Sequence, residues 1–216
     1  MSVPIHDPDV VLTDLGLALL GGYLGWRLWK SRDRGAMAAH GAVILWALGS
    51  AAFWGAAFHA FFPGGTATSS GFLAWVPVVL SIVVVASALL DLGLRVSAPR
   101  LPAPARLAIV AAYAGAFVAV TLLIDASYGV IVRFYSPVLV LFLVAALVQA
   151  ARTRSRGWTL IAISFALSLV AGVLQQARVA LHPEYFDHNA VYHVVQGAAL
   201  VLMYRGFRDA PVPAGG

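Results

Sequence analysis

The sequence predicts an all-α polytopic membrane protein with seven transmembrane helices, the N-terminus outside and the C-terminus inside. Three observations predict it. Of 216 residues, 61% are hydrophobic and only 11% charged, and the mean hydropathy of +0.88 lies far from a soluble domain. The apolar residues fall in long continuous runs, each near the roughly 20 residues that cross a bilayer, rather than in the alternation of a β-barrel. The basic residues recur on one side of the resulting topology.

The spans read as 11–30, 37–62, 71–94, 105–125, 129–151, 157–181 and 188–207. Span one ends at Arg32-Asp33-Arg34-Gly35 and span two at Pro63-Gly64-Gly65-Thr66. Span three ends in the proline-rich Pro99-Arg100-Leu101-Pro102-Ala103-Pro104. Asp125-Ala126-Ser127-Tyr128 is a tight link between spans four and five, with Asp125 and Arg133 expected to form an ion pair. Arg152-Thr153-Arg154-Ser155-Arg156 follows span five, and His182-Pro183-Glu184 follows span six. Residues 1–208 form one transmembrane domain and residues 209–216, with Pro211-Val212-Pro213-Ala214-Gly215-Gly216, a disordered tail.

Arg27, Lys30, Arg32 and Arg34 follow span one. Arg95, Arg100 and Arg106 join spans three and four; Arg152, Arg154 and Arg156 join five and six; Arg205 and Arg208 close span seven. With seven spans these four groups share one face, which the positive-inside rule makes cytoplasmic. This accounts for the net charge of +5 without nucleic acid as a partner. Cysteine is absent, which excludes disulfides, iron–sulfur clusters and thiolate zinc sites. The Ala-, Val- and Arg-rich composition points to a high-GC bacterium, and hence to a bacterial inner membrane.

Polar groups inside a span are costly and mark function. Asp14, His59, Gln175, Gln176, Arg178, His188, Asn189, His193 and Gln196 all fall toward the outer ends of their spans, while the inner halves are aliphatic apart from Asp91. On span seven Asn189, His193 and Gln196 lie at i, i+4 and i+7 and share one helix face. Small residues on spans one (Ala18, Gly21, Gly22, Gly25) and two (Ala52, Gly55, Ala56) allow close backbone approach. His6, His40 and His182 are assigned to the membrane interface. The cluster has three readings: a metal site, a set of structural hydrogen bonds, or a polar pathway, the last weakened by the apolar inner halves.

Phe58-His59 at the end of span two and Tyr192-His193-Val194-Val195-Gln196 in span seven carry a resemblance. In these segments and in its seven spans the chain resembles the CREST superfamily, which includes alkaline ceramidases and the adiponectin-receptor (PAQR) family; it is similar to an uncharacterised bacterial branch. The resemblance implies a zinc-dependent intramembrane hydrolase of a lipid or amide substrate. On these residues zinc is expected on His59 and His193 with His188 or Asp14 as the third ligand, Asp14 otherwise serving as general base or orienting acceptor and Asn189 or Gln196 binding the oxyanion; a site that has lost its metal is the remaining alternative. Gly55 stands where the family has a serine, and Asn189 where it has the first histidine of the span-seven pair. The alternative is a non-enzymatic membrane protein whose polar cluster binds a ligand or locks helices together.

Overall fold

Helix starts in this chain are set by local chemistry. Proline occupies the first turn of the first and fourth helices, where its missing N–H costs nothing. Thr68, Ser155 and Asp187 cap the third, sixth and seventh helices by accepting backbone amides with their side chains, which satisfies donors that a helix start leaves open. In the computed structural model, which describes residues 5–182 and 185–211, the described residues form seven α-helices. They are α1 (Pro8–Trp29), α2 (Ala36–Phe61), α3 (Ser69–Ser97), α4 (Ala103–Leu123), α5 (Tyr128–Thr153), α6 (Arg156–Gln176) and α7 (His188–Asp209).

The helices follow the sequence-derived spans closely, with one clear difference. The sixth span was expected to reach residue 181, because Ala177-Arg178-Val179-Ala180-Leu181 is apolar. The helix stops at Gln176, and Arg178 adopts a left-handed conformation (φ 53°) that no α-helix continues through. A short loop follows, with Phe186 paired to Leu181 and His182 through the backbone. At the C-terminus α7 reaches Asp209, one residue into the tail expected from 209; residues 212–216 lie outside the described residues. Asp125 is not held by a direct ion pair with Arg133. It accepts the Ser127 amide at 2.8 Å, and that hydrogen bond, more than the charge of Arg133, holds its carboxyl below the usual range.

Helices α2 to α6 are each long and apolar enough to cross a membrane, as in an integral membrane protein. α1 and α7 have 22 residues apiece, about 33 Å at 1.5 Å per residue, but carry more polar groups. Six helices form a closed ring in the order α1, α2, α3, α5, α6, α7, with α7 returning to α1. α4 lies outside the ring, chiefly against α3. It buries only Arg106, Phe117 and Thr121, and Phe117 stacks on Phe134 of α5 at 4.9 Å.

The tightest seam joins α1 and α2. A Cβ on Gly21 would stand 2.8 Å from the Leu45 carbonyl oxygen and 2.9 Å from the Gly49 Cα, and one on Gly49 would stand 3.1 Å from the Ala18 carbonyl oxygen. In a bilayer the apolar effect between helices is small, so this contact is what holds such a pair.

The end of the bundle opposite the N-terminus contains a buried ionic knot. Asp91 of α3 accepts from Arg106 Nε (2.6 Å) and Arg95 Nε (2.8 Å) and faces His40 Nε2 at 2.7 Å. His40 Nδ1 in turn lies 2.8 Å from the Ala36 carbonyl oxygen. His40 is therefore not a free interfacial residue, as its position near a span end suggested, but a bond between α2 and α3. Asp91, which stood alone in the sequence, is the common partner of three helices. Nearby, Lys30 lies over the Trp26 ring (3.7 Å) and Arg32 over Trp29 (4.9 Å).

Two neighbouring glycines separate close packing from helix propensity. Gly21→Ala is expected to lower stability by about 1–3 kcal/mol through forced separation of α1 and α2. Gly22→Ala, whose Cβ would meet nothing within 4 Å, is expected to be neutral or to stabilise by up to about 1 kcal/mol. Denaturation of the purified protein in detergent measures both.

Candidate functional site: a polar-mouthed cavity

The ring of six helices encloses a cavity of about 490 Å³, within the range of small-molecule sites. Its wall is drawn from α1, α2, α3, α5, α6 and α7, and α4 contributes nothing. On α7 the lining runs from His188 to Leu200, about 18 Å along the axis at 1.5 Å per residue. The lining changes character with depth. His59, Gln176, Arg178 and His188 stand at the mouth. Asp14, His193, Gln196, Tyr135 and Tyr192 form a middle band. Leu17, Leu48, Leu139 and Leu200 form the floor.

All six residues singled out from the sequence (Asp14, His59, His188, Asn189, His193 and Gln196) line this cavity. They do not all do the same thing. Asp14 and His193 are nearly buried, at 4% and 8% exposure, and meet at 3.1 Å between Oδ1 and Nε2. His193 Nδ1 lies 2.9 Å from Thr13 Oγ1, and that hydroxyl also approaches the Asp9 and Val10 carbonyl oxygens at 2.9 and 3.0 Å. Thus α7 is fastened to α1 through both imidazole nitrogens. Asp14 is admitted this deep because Gly55 of α2 leaves room for it: a Cβ there would stand 3.1 Å from Oδ2.

Asn189 is tied into the wall. Its side-chain oxygen accepts from Gln175 Nε2 (3.0 Å) and its Nδ2 donates to Asp187 Oδ2 (3.1 Å). Gln175 Oε1 accepts from the Tyr128 hydroxyl at 3.0 Å. The chain Tyr128–Gln175–Asn189–Asp187 joins α5, α6 and α7 at the mouth. Asp187 also caps α7 through Oδ1, while its amide donates to Asp9 Oδ2 at 3.0 Å. His188 and His59 each face one carboxylate, Asp187 at 3.5 Å and Asp7 at 3.6 Å.

These donors do not fit a zinc ion. Zinc needs three protein ligands with free lone pairs in a tetrahedral set, and no group of three or more His, Cys, Asp or Glu side chains able to hold a metal occurs among the described residues. His193 has both ring nitrogens engaged. Asn189, which replaces a histidine in the resemblance, is engaged at both ends of its amide.

Sequence reasoning missed Thr13, Tyr128 and Tyr135 as site residues, and it read Tyr192 only as part of the Tyr192-His193 segment. Thr13 had a usable signal, since a hydroxyl beside a membrane-embedded carboxylate must find its own partner. The tyrosines carried none, because in an apolar span an aromatic residue is indistinguishable from packing.

With the geometry in place, comparison with known proteins gives one finding. A family model described as a family of unknown function, DUF6962, matches residues 10–211. The chain belongs to that family. The match runs from the first turn of α1 to the end of α7, so the DUF6962 unit is the whole ring together with α4 and both polar clusters. No curated protein and no solved structure matches the chain.

The α1–α7 closure makes an energetic prediction. Asp14→Ala and His193→Ala are each expected to cost about 1–3 kcal/mol, the penalty of leaving one buried polar partner unsatisfied. The double variant is expected to cost less than the two added together, by at least about 0.5 kcal/mol. A double-mutant cycle of unfolding in detergent reads this directly, and strict additivity would show that the two side chains do not interact.

Proposed function

We propose that the protein is a membrane receptor or carrier for a small amphiphile, which enters the cavity with its chain toward the Leu17–Leu48–Leu139–Leu200 floor and its polar portion in the band above. The observation that carries this is the layered lining of a single cavity inside the helix ring. An apolar wall with a few placed polar groups is how small-molecule sites are built, and an amphiphile already partitioned in the bilayer is the molecule such a wall meets. In this reading all seven helices cross the membrane, with the N-terminus and cavity mouth outside and the basic end inside. The positive-inside pattern and the aromatic–cation pairs at the basic end support that orientation; the composition supports a bacterial inner membrane.

A hydrolytic reading has one observation in its favour, the Asp14–His193 pair on the cavity wall. A carboxylate that orients an imidazole is a general acid–base arrangement. Such chemistry would work without zinc, given the donor set. In that case the CREST resemblance would extend to the helical frame and the depth of the polar layer but not to the metal.

Organic extraction of protein purified from membranes is expected to release a near-stoichiometric single-chain amphiphile. Ala52→Phe, which fills the cavity from α2, is expected to lose it while keeping its melting behaviour. Extracts that are the same for both proteins would remove the binding reading. Metal analysis is expected to give sub-stoichiometric zinc, unchanged by His59→Ala/His193→Ala; stoichiometric zinc lost in that variant would restore the metal centre.

A further inference from the structure

The polar groups in the middle band of the cavity divide into two kinds. Asp14 and His193 are committed to protein partners. Gln196 is not. It is 6% exposed, and its amide makes no hydrogen bond among the described residues and, unlike the sealed Ser87 hydroxyl, opens onto the cavity. It lies three residues after His193 on α7, so it is the next cavity-facing position toward the floor. The hydroxyls of Tyr135 and Tyr192, which also line the cavity, likewise have no protein partner among the described residues. A polar group on a cavity wall that has no protein partner can hydrogen-bond only to what enters the cavity. Three uncommitted groups on α5 and α7 therefore mark a place where a partner arrives from outside the protein.

The chemistry of these groups narrows that partner. The Gln196 amide needs a donor for its oxygen and an acceptor for its nitrogen, and each phenol can both donate and accept. A carboxylate or carbonyl only accepts, and an ammonium only donates. A hydroxyl does both, as do an amide and an un-ionised acid, and of these the hydroxyl is the smallest and the cheapest to desolvate. The lining at this depth also offers no arginine or lysine to an ionised group; Arg178 stands higher, at the mouth. Burying an ion against neutral amide and phenol groups carries a large desolvation cost.

We infer that Gln196, with Tyr135 and Tyr192, forms a subsite for an alcohol group, and that the ligand of the cavity is an uncharged amphiphile carrying a hydroxyl. This rests on the amphiphile-binding reading and names the ligand class within it. The hydroxyl lies against α7 one helical turn below the Asp14–His193 pair, with the hydrocarbon below it among the floor leucines. Gln196 is then the residue that separates an alcohol from an alkane of equal length, because an alkane in the same place leaves the amide unpaired.

The test uses the full chain in detergent, with dodecanol, dodecane and dodecanoate as probes and native mass spectrometry as the readout of occupancy. In the wild type, the affinity ratio of dodecanol to dodecane is expected to exceed that in Gln196→Leu by roughly tenfold, the size of one net hydrogen bond. Dodecane is expected to bind Gln196→Leu at least as well as wild type. Without ligand, Gln196→Leu is expected to melt at the wild-type temperature or above, since it removes an unmatched amide. An unchanged ratio would overturn the subsite while leaving the cavity reading intact, because it would mean that water serves the amide. A melting temperature several degrees lower would also overturn the subsite, by showing the amide committed within the protein. Preferential binding of dodecanoate, lost in Arg178→Gln, would replace the alcohol with an acid held at the mouth. Failure of all three probes to bind would defeat both the subsite and the amphiphile reading.

Discussion

The structure depends on one closure, the meeting of the first helix with the last. His193 of α7 reaches Asp14 through one ring nitrogen and Thr13 through the other, and the Asp187 amide reaches Asp9 just above. Without these contacts α1 and α7 would be neighbours only through apolar packing, which in lipid gives little preference for one partner over another. With them the six helices form a ring instead of an open sheet of helices, and a ring of six leaves space at its centre. The cavity is thus a consequence of the closure. The small residues act at the same point: Gly55 makes room for the Asp14 carboxyl, and the Gly21–Gly49 contact holds α1 against α2 at the distance where Asp14 can lie between α2 and α7.

Much of the frame could be read from the chain because bilayer physics constrains it so strongly. Basic residues recur after alternate apolar runs, and that parity fixed the helix count better than hydropathy. α1 and α7, the two helices whose composition is least membrane-like, are the ones a hydropathy threshold leaves out. The boundary that was misread, at the end of α6, depended on a backbone conformation at Arg178 that side-chain chemistry does not announce.

The site was legible in its layer and not in its pairings. Depth follows from position along a span, so Asp14, His59, His193 and Gln196 could be placed in one outer half of the bundle from sequence alone. Which of them touch depends on helix rotation and neighbour order, and these are set by packing across the ring. That is why Asn189 and His193 look like equivalent members of one polar face in the sequence, yet one belongs to a hydrogen-bonded wall with Gln175 and Asp187 and the other to the α1–α7 closure. The same gap hid His40. Its partner Asp91 lies 51 residues away, and nothing local connects them.

The two polar clusters of the bundle allow a comparison that separates structural from ligand-facing polarity. At the basic end Asp91 receives Arg95 and Arg106 and faces His40; the carboxylate and Arg106, only 9% exposed, satisfy each other. A buried charge that is fully partnered has no capacity left for a visitor, and removing one member leaves the others stranded. The cavity end is arranged differently. Asp14, His193 and Asn189 are paired into the wall, while Gln196 and the Tyr135 and Tyr192 phenols open onto the cavity. A cluster meant only to lock helices would gain stability by joining these to one another or by replacing them with leucine, as the surrounding floor does. Their openness onto the cavity, against the mutual satisfaction of the Asp91 cluster, is the physical difference between the two ends, and it is what the proposed binding function rests on.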